Sequence, residues 1–89
     1  MPGTYALGQN YPNPFNPTTT IPFTVPEGGI VELRVYNVLG QEVATLVDEY
    51  LPAGTHEVSW EARGLSSGTY LYVIKAASFT QTRRMILVK

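Results

Sequence analysis

The side chains that could carry acid–base or nucleophilic chemistry in this chain of 89 residues are few and far apart. His56 is the only histidine, and a serine triad around it would have to use Ser59 and Asp48. Ser59 and His56 stand three residues apart in a segment whose alternation predicts a strand, so their side chains project from opposite faces. The pattern favours a partly buried strand histidine over a nucleophilic triad.

The carboxylates are too dispersed for hydrolysis or metal binding. Glu57 and Glu61 share one face of the predicted strand, but four residues of strand separate them by about 13 Å, too far for a glycosidase pair. Asp48-Glu49 offers too few oxygen ligands for a calcium loop. The chain has no cysteine and no glycine-rich phosphate-binding motif. We therefore predict no catalytic residue, no metal, no cofactor and no enzymatic activity.

The composition indicates a small all-β domain. Hydrophobic residues make up 44% of the chain and charged residues 15%, which is typical of a globular protein. Seven prolines and eight glycines divide the chain into short segments, and no apolar stripe with helical spacing persists beyond about two turns. The predicted fold is an immunoglobulin-like antiparallel β-sandwich of about seven short strands. We expect residues 1–6 to be a linker and residues 7–89 to be one domain of a longer exported protein, without a transmembrane segment.

The segment 31–43 predicts the β-hairpin to which the other strands are added. Apolar and polar residues alternate over 31–36, which is the period of a half-buried strand. Asn37 can bond its own backbone, and Gly40 can adopt a positive φ without a Cβ clash, so the chain is predicted to turn between them. A type I turn followed by a bulge fits this spacing.

Several other apolar segments predict strands around this hairpin. These segments are 18–25, 43–47, 55–61, 69–76 and 80–89, and a loop that ends at Gly54 is predicted over 48–54. Pro22 lacks an amide hydrogen, which predicts an edge strand or a bulge. Trp60 alternates with polar neighbours, which predicts a core position. Tyr11 and Phe15, in the proline-rich opening, are expected to cover one end of the core; the alternative is an aromatic platform for a sugar.

Charge is unevenly distributed although the net charge is only −1. Residues 1–61 contain all seven acidic residues and a single basic one, Arg34, whereas residues 62–89 contain five basic residues and no acid. One interpretation is that late strands lie beside early ones and the charges pair across the sheet. The other is a basic docking face at the C-terminal end. Nucleic-acid binding is not favoured, because the balance is acidic and no nucleic-acid-binding motif is present.

Four motifs and the chain end resemble one family. The motifs are LGQNYPNPFNP at 7–17, VYNVLGQ at 35–41, AGTHEVSW at 53–60 and GLSSGTY at 64–70, followed by a basic last strand that ends at Lys89. Together they resemble the type A C-terminal sorting domain of type IX secretion system cargo in Bacteroidetes-like bacteria. The chain is also similar to the immunoglobulin-like domain of flagellar hook-capping proteins. The proline-rich opening and the short connector from Trp60 to Gly68 favour the sorting family.

The resemblance implies a non-catalytic targeting module with its cargo fused at the N-terminus. Such a module is recognised by the translocon in the periplasm, crosses the outer membrane, and is removed by a surface sorting peptidase as the cargo is anchored at the cell surface or released. The recognised surface is predicted to be the final hairpin. Gly68 and Tyr70 would shape it, and Arg83, Arg84 and Lys89 would present positive charge.

One position departs from the family, and two other functions stay open. Ala77 stands where relatives commonly have glycine, which makes the geometry of the last turn an open question. The alternatives to sorting are a carbohydrate-binding module and an inert immunoglobulin-like spacer, each as part of a secreted multidomain hydrolase.

Overall fold

The computed structural model describes residues 3–89 as seven β-strands in two antiparallel sheets. The strands are β1 (Ala6–Leu7), β2 (Thr18–Val25), β3 (Gly29–Tyr36), β4 (Glu42–Leu51), β5 (Gly54–Glu61), β6 (Gly68–Ala76) and β7 (Phe79–Leu87). One sheet has the order β1-β2-β5 and the other the order β4-β3-β6-β7. The architecture confirms the predicted all-β sandwich.

The core lies between the two sheets and is filled by every second side chain of the central strands. In β3, Val31, Leu33 and Val35 are at most 1% exposed, as the alternation predicts. β3 lies between β4 and β6, so both its edges are paired. Trp60 is 7% exposed, and its ring lies 5.9 Å from that of Phe15. The core position predicted for Trp60 is confirmed.

The turn between β3 and β4 also follows the prediction. The Gly40 amide donates to the Asn37 carbonyl at 3.0 Å, and Gly40 has a φ of 84°. The Asn37 side-chain oxygen accepts from the amides of Leu39 at 2.9 Å and Gln41 at 3.0 Å. Asn37 therefore holds the turn through its side chain and its backbone.

Two predictions about strands are wrong. β2 is central in its sheet, although Pro22 predicted an edge: the Gly8 amide donates to the Pro22 carbonyl at 2.8 Å, on the side where β1 has only two residues. A strand residue directs its amide and carbonyl to the same side, so the missing hydrogen costs no bond to β5. Residues 48–51 continue β4 instead of forming a loop. Residues 48–51 pair one to one with 29–32, but Asp48, Glu49 and Tyr50 are all exposed, so no alternation marks them as a strand.

The opening of the chain packs more closely than expected. β1 begins at Ala6, within the predicted linker, and the Tyr5 ring stacks on Phe79 at 5.2 Å; residues 1–2 lie outside the described part. Phe15 is 1% exposed, which confirms that it covers the core. Tyr11 is 48% exposed, so the same prediction is wrong for Tyr11. Its hydroxyl donates to Glu57 on the outer surface, which keeps the ring outside the core.

Substitution at Gly40 tests the turn. A Cβ added at Gly40 meets nothing within 4 Å, so the cost of Gly40→Val comes from the positive φ alone, about 1–2 kcal/mol. Gly29→Val is the matched control, because Gly29 is equally open but has no positive φ. Urea denaturation should show a loss for Gly40→Val and little change for Gly29→Val. Equal stabilities of the two variants would contradict the assignment.

Ala77 offers the opposite test, a gain of stability. Its φ is 53°, in the left-handed region where a Cβ is unfavourable by about 1–2 kcal/mol. Ala77→Gly relieves that strain but adds freedom to the unfolded chain, so we expect a net gain of about 0.5–1 kcal/mol. Ala53→Gly, at an exposed bend without positive φ, is expected to lose stability. Thermal unfolding followed by circular dichroism compares the two, and a loss for Ala77→Gly would refute the prediction.

Candidate docking surface

Gly68 and Tyr70 shape the start of β6, where Gly68 is exposed and Tyr70 is buried. Gly68 pairs with Leu87 and has a φ of 142°. Tyr70 is 6% exposed, its hydroxyl donates to the Ser66 carbonyl at 2.7 Å, and its ring meets Trp60 edge-on at 6.1 Å. Both residues therefore fix the connector that leads into the last hairpin.

The predicted basic residues do not share one face. Arg83 and Arg84 are neighbours on β7, so they project to opposite faces of the sheet. Arg83 lies half-buried on the side of Met85, and its Nε donates to the Leu7 carbonyl at 2.5 Å. Arg84 is exposed on the outer face, and Lys89 is exposed after the strand ends. The prediction of a common basic face is corrected: Arg84 and Lys89 are presented to solvent, whereas Arg83 fastens β7 to β1.

Of the four acidic groups that form ion pairs within residues 3–89, three surround Arg34 and the fourth, Glu61, pairs with Arg63. Arg34 lies 3.1 Å from Glu32, 3.3 Å from Glu42 and 3.6 Å from Asp48. Within residues 3–89, the basic groups of β7 and the C-terminus make no ion pair within 4.0 Å. Pairing of the late basic residues with early acids across the sheet was one interpretation of the sequence, and it does not hold for β7, because in its sheet β7 pairs only with β6, which carries no acid. Of the two late basic residues that precede β7, Lys75 stands opposite Glu32 across β6 and β3, and Arg63 forms an ion pair with Glu61.

A segment that precedes β2 covers the edge of β7. We call residues 7–17 the strap. The Phe15 amide donates to the Ile86 carbonyl, and the Val88 amide donates to the Phe15 carbonyl, both at 2.9 Å. The Asn13 side-chain oxygen accepts from the Ile86 amide at 2.9 Å. The strap thus pairs the backbone groups that an edge strand would otherwise leave open.

A buried polar network attaches the strap to the sheet. Asn10 is 2% exposed, and its amide donates to the Tyr72 hydroxyl at 2.9 Å. The same hydroxyl donates to the Gly8 carbonyl at 2.8 Å. Gln9 donates from its side-chain amide to the Arg84 carbonyl, also at 2.8 Å. These contacts attach the strap to both strands of the final hairpin, to β6 through Tyr72 and to β7 through the Arg84 carbonyl.

The strap and β7 together border an open cleft. Gln9 and Asn13 line it from the strap, Thr69 lines it from β6, and Thr82, Arg83, Arg84 and Ile86 line it from β7. Sequence reasoning missed the two strap residues, because nothing local connects them to a strand more than seventy residues away. An edge strand has open backbone groups that need partners, and amide side chains can supply them. This requirement could have suggested that Gln9 and Asn13 pair with the backbone of β7.

Comparison with known protein families identifies a match over nearly the whole chain. A family model described as the secretion system C-terminal sorting domain matches residues 9–89. No curated protein matches the chain. The matched range takes in nearly all of the strap, the final hairpin and Lys89. Across residues 3–89 no helix is long and apolar enough to cross a membrane.

Tyr72→Phe tests the attachment of the strap. The variant leaves the Asn10 amide and the Gly8 carbonyl without their partner, so we expect a loss of about 1–3 kcal/mol at neutral pH. Tyr50→Phe, at a side chain that is 63% exposed, should change stability little. Chemical denaturation at pH 7 provides both values.

The same pair of variants predicts a pH dependence. Burial raises the pKa of the Tyr72 phenol above its ordinary value of 10.0, although the Asn10 amide and the Arg83 charge oppose part of the rise. The stability that depends on a neutral phenol is present below about pH 10 and is lost as pH rises through the folded-state pKa. Tyr72→Phe should lack this alkaline component, whereas Tyr50→Phe should retain it. A parent-like alkaline loss in Tyr72→Phe would contradict the role of Tyr72.

Proposed function

The chain belongs to the secretion system C-terminal sorting domain family, and we propose that it carries N-terminally fused cargo through the type IX translocon across the outer membrane. The observation that supports this is the match over residues 9–89, which includes both the strap and the strand that it holds. The domain acts by being recognised, without catalysis. A surface peptidase then removes it while the cargo is anchored at the cell surface or released.

The recognised surface in this proposal is the outer side of the final hairpin near the C-terminus. Arg84 and Lys89 present exposed positive charge there. Exposed charges without a partner on their own molecule steer association with an oppositely charged surface. Gly68 and Tyr70 give the hairpin its shape, and Arg83 contributes by holding β7 against β1.

The point of cargo fusion and the proposed recognition surface lie at opposite ends of the sandwich. The chain enters beside the β6–β7 turn, where Tyr5 stacks on Phe79. β7 runs from Phe79 to Leu87 and therefore finishes at the opposite end of the sheet. The longest dimension of the molecule is 38 Å. Cargo attached before Tyr5 leaves the C-terminal end of the hairpin accessible to a partner.

A reporter fusion tests the proposal. The chain is placed behind a reporter that has its own export sequence, in a host with type IX machinery, and the reporter is measured in the medium, on cells and in the periplasm. The parent fusion should leave the periplasm. Arg84→Glu with Lys89→Glu should reduce capture roughly tenfold or more, at about 1 kcal/mol for each reversed charge. Arg83 is left unchanged, because it bonds the Leu7 carbonyl.

The matched control is Lys75→Glu, an exposed charge on the same outer face towards the other end of β6. It should be secreted as the parent is. Circular dichroism confirms that each variant is folded. A parent fusion that stays in the periplasm overturns the sorting function. Normal secretion of the folded double reversal overturns only the role of Arg84 and Lys89.

A further inference from the structure

The turn between β3 and β4 carries two large apolar side chains that its geometry does not require. Val38 is 70% exposed and Leu39 is 79% exposed, more than any other large apolar side chain within residues 3–89. Polar residues are the usual occupants of such turn positions. We call Val38 and Leu39 the β3–β4 tip. The fold itself does not explain why these exposed positions are apolar, so we attribute them to a contact with another molecule.

The tip is rigid. The Asn37 amide donates to the Gln41 carbonyl at 2.9 Å, and the Asn37 side-chain amide donates to the Gln41 side chain at 2.8 Å. The Leu39 amide donates to the Asn37 side-chain oxygen at 2.9 Å. A turn fixed in this way presents its apolar groups with little backbone entropy left to lose on binding.

The tip also lies at the same end of the sheet as the proposed recognition surface. Tyr36, the last residue of β3, pairs with Leu71 of β6, which in turn pairs with Arg84 of β7. Adjacent strands lie about 4.8 Å apart, so the end of β3 is roughly 10 Å from Arg84. One partner surface of ordinary size can reach both.

Two further exposed apolar side chains stand at this end. Ile86 is 44% exposed beside Arg84, and Val88 is 41% exposed before Lys89. Scattered exposed apolar residues are normal on a protein surface. Here the tip and these β7 residues combine apolar area with charges that have no internal partner. A protein pocket that is apolar and bordered by carboxylates complements that combination.

We propose that the β3–β4 tip inserts into an apolar, acid-bordered pocket of the translocon component that binds the end of β7. This inference rests on the proposed function and names a second contact for the same recognition event. The tip supplies buried apolar contact, which slows dissociation, and the charges of Arg84 and Lys89 raise the rate of encounter. The shorter dimensions of the molecule, 23 and 17 Å, let one partner cover this end of the sandwich.

The reporter fusion tests the tip with a matched pair of double substitutions. Val38→Ser with Leu39→Ser removes the tip. Ile30→Ser with Tyr50→Ser removes two exposed apolar side chains that pair with each other at the opposite end of the same sheet. We expect the tip variant to accumulate in the periplasm with a severalfold loss of secreted reporter, and the opposite-end variant to be secreted as the parent is.

A crosslinking experiment complements the substitutions, because it detects the contact without removing the whole tip. A photoreactive amino acid at position 39 should crosslink the otherwise unchanged fusion to an outer-membrane component of the type IX machinery, and the same group at position 30 should not. Leu39→Asp is a milder variant if the double substitution lowers the melting temperature. It should also retain the reporter in the periplasm, because it places a negative charge in an apolar pocket whose border is negative as well.

The outcomes separate this inference from the function on which it rests. If the parent fusion stays in the periplasm, the sorting function fails and the tip proposal fails with it. If the parent is secreted and the folded tip variants are secreted equally well, only the tip proposal is overturned. Equal losses at both ends of the sheet, or no crosslink from position 39, would also overturn it.

Discussion

The open edge of β7 is the constraint on which the rest of the structure depends. A sandwich of two open sheets leaves edge strands, and an exposed edge invites pairing with other chains. The strap closes the C-terminal half of this edge through Phe15 and Asn13, which bond the backbone of Ile86 and Val88. The last strand is thus completed by residues from the start of the domain. The surface at the end of β7 therefore requires residues from both the start and the end of the chain segment that forms the domain.

The buried network explains why the strap has the sequence it has. Prolines prevent helix formation and keep the strap extended or turning, while asparagine and glutamine supply the donors and acceptors that an irregular segment needs when it is buried. The Tyr72 hydroxyl accepts from the backbone amide of Asn10, the Asn10 side chain donates to the Thr19 hydroxyl at 2.9 Å, and no buried side-chain polar atom among the described residues is left without a partner. An apolar residue at position 10 would leave the Thr19 hydroxyl without a donor. Polar residues therefore specify the register of the strap.

Much of the fold could be predicted from the sequence, because β3, β5 and β6 alternate cleanly and Asn37 and Gly40 mark a turn. The extent of β4 could not, since Asp48, Glu49 and Tyr50 are all exposed and show no alternation. The path of the strap could not either, because pairing between distant segments leaves no local pattern. The opposite orientation of Arg83 and Arg84 could have been inferred, as adjacent strand residues always face opposite sides. Treating them as one basic patch ignored that rule.

The start of the chain and the end of β7 lie at opposite ends of the sandwich, which bears on where a partner can bind. If the translocon recognises the domain as we propose, the recognised surface has to lie away from the point where cargo is fused. Tyr5 enters at one end of the sandwich, and the end of β7 lies at the other. Arg34 offsets part of the charge of Glu32, Glu42 and Asp48 on β3 and β4. Unpaired positive charge and exposed apolar area thus coincide at the end that cargo leaves free, where we propose that the translocon binds.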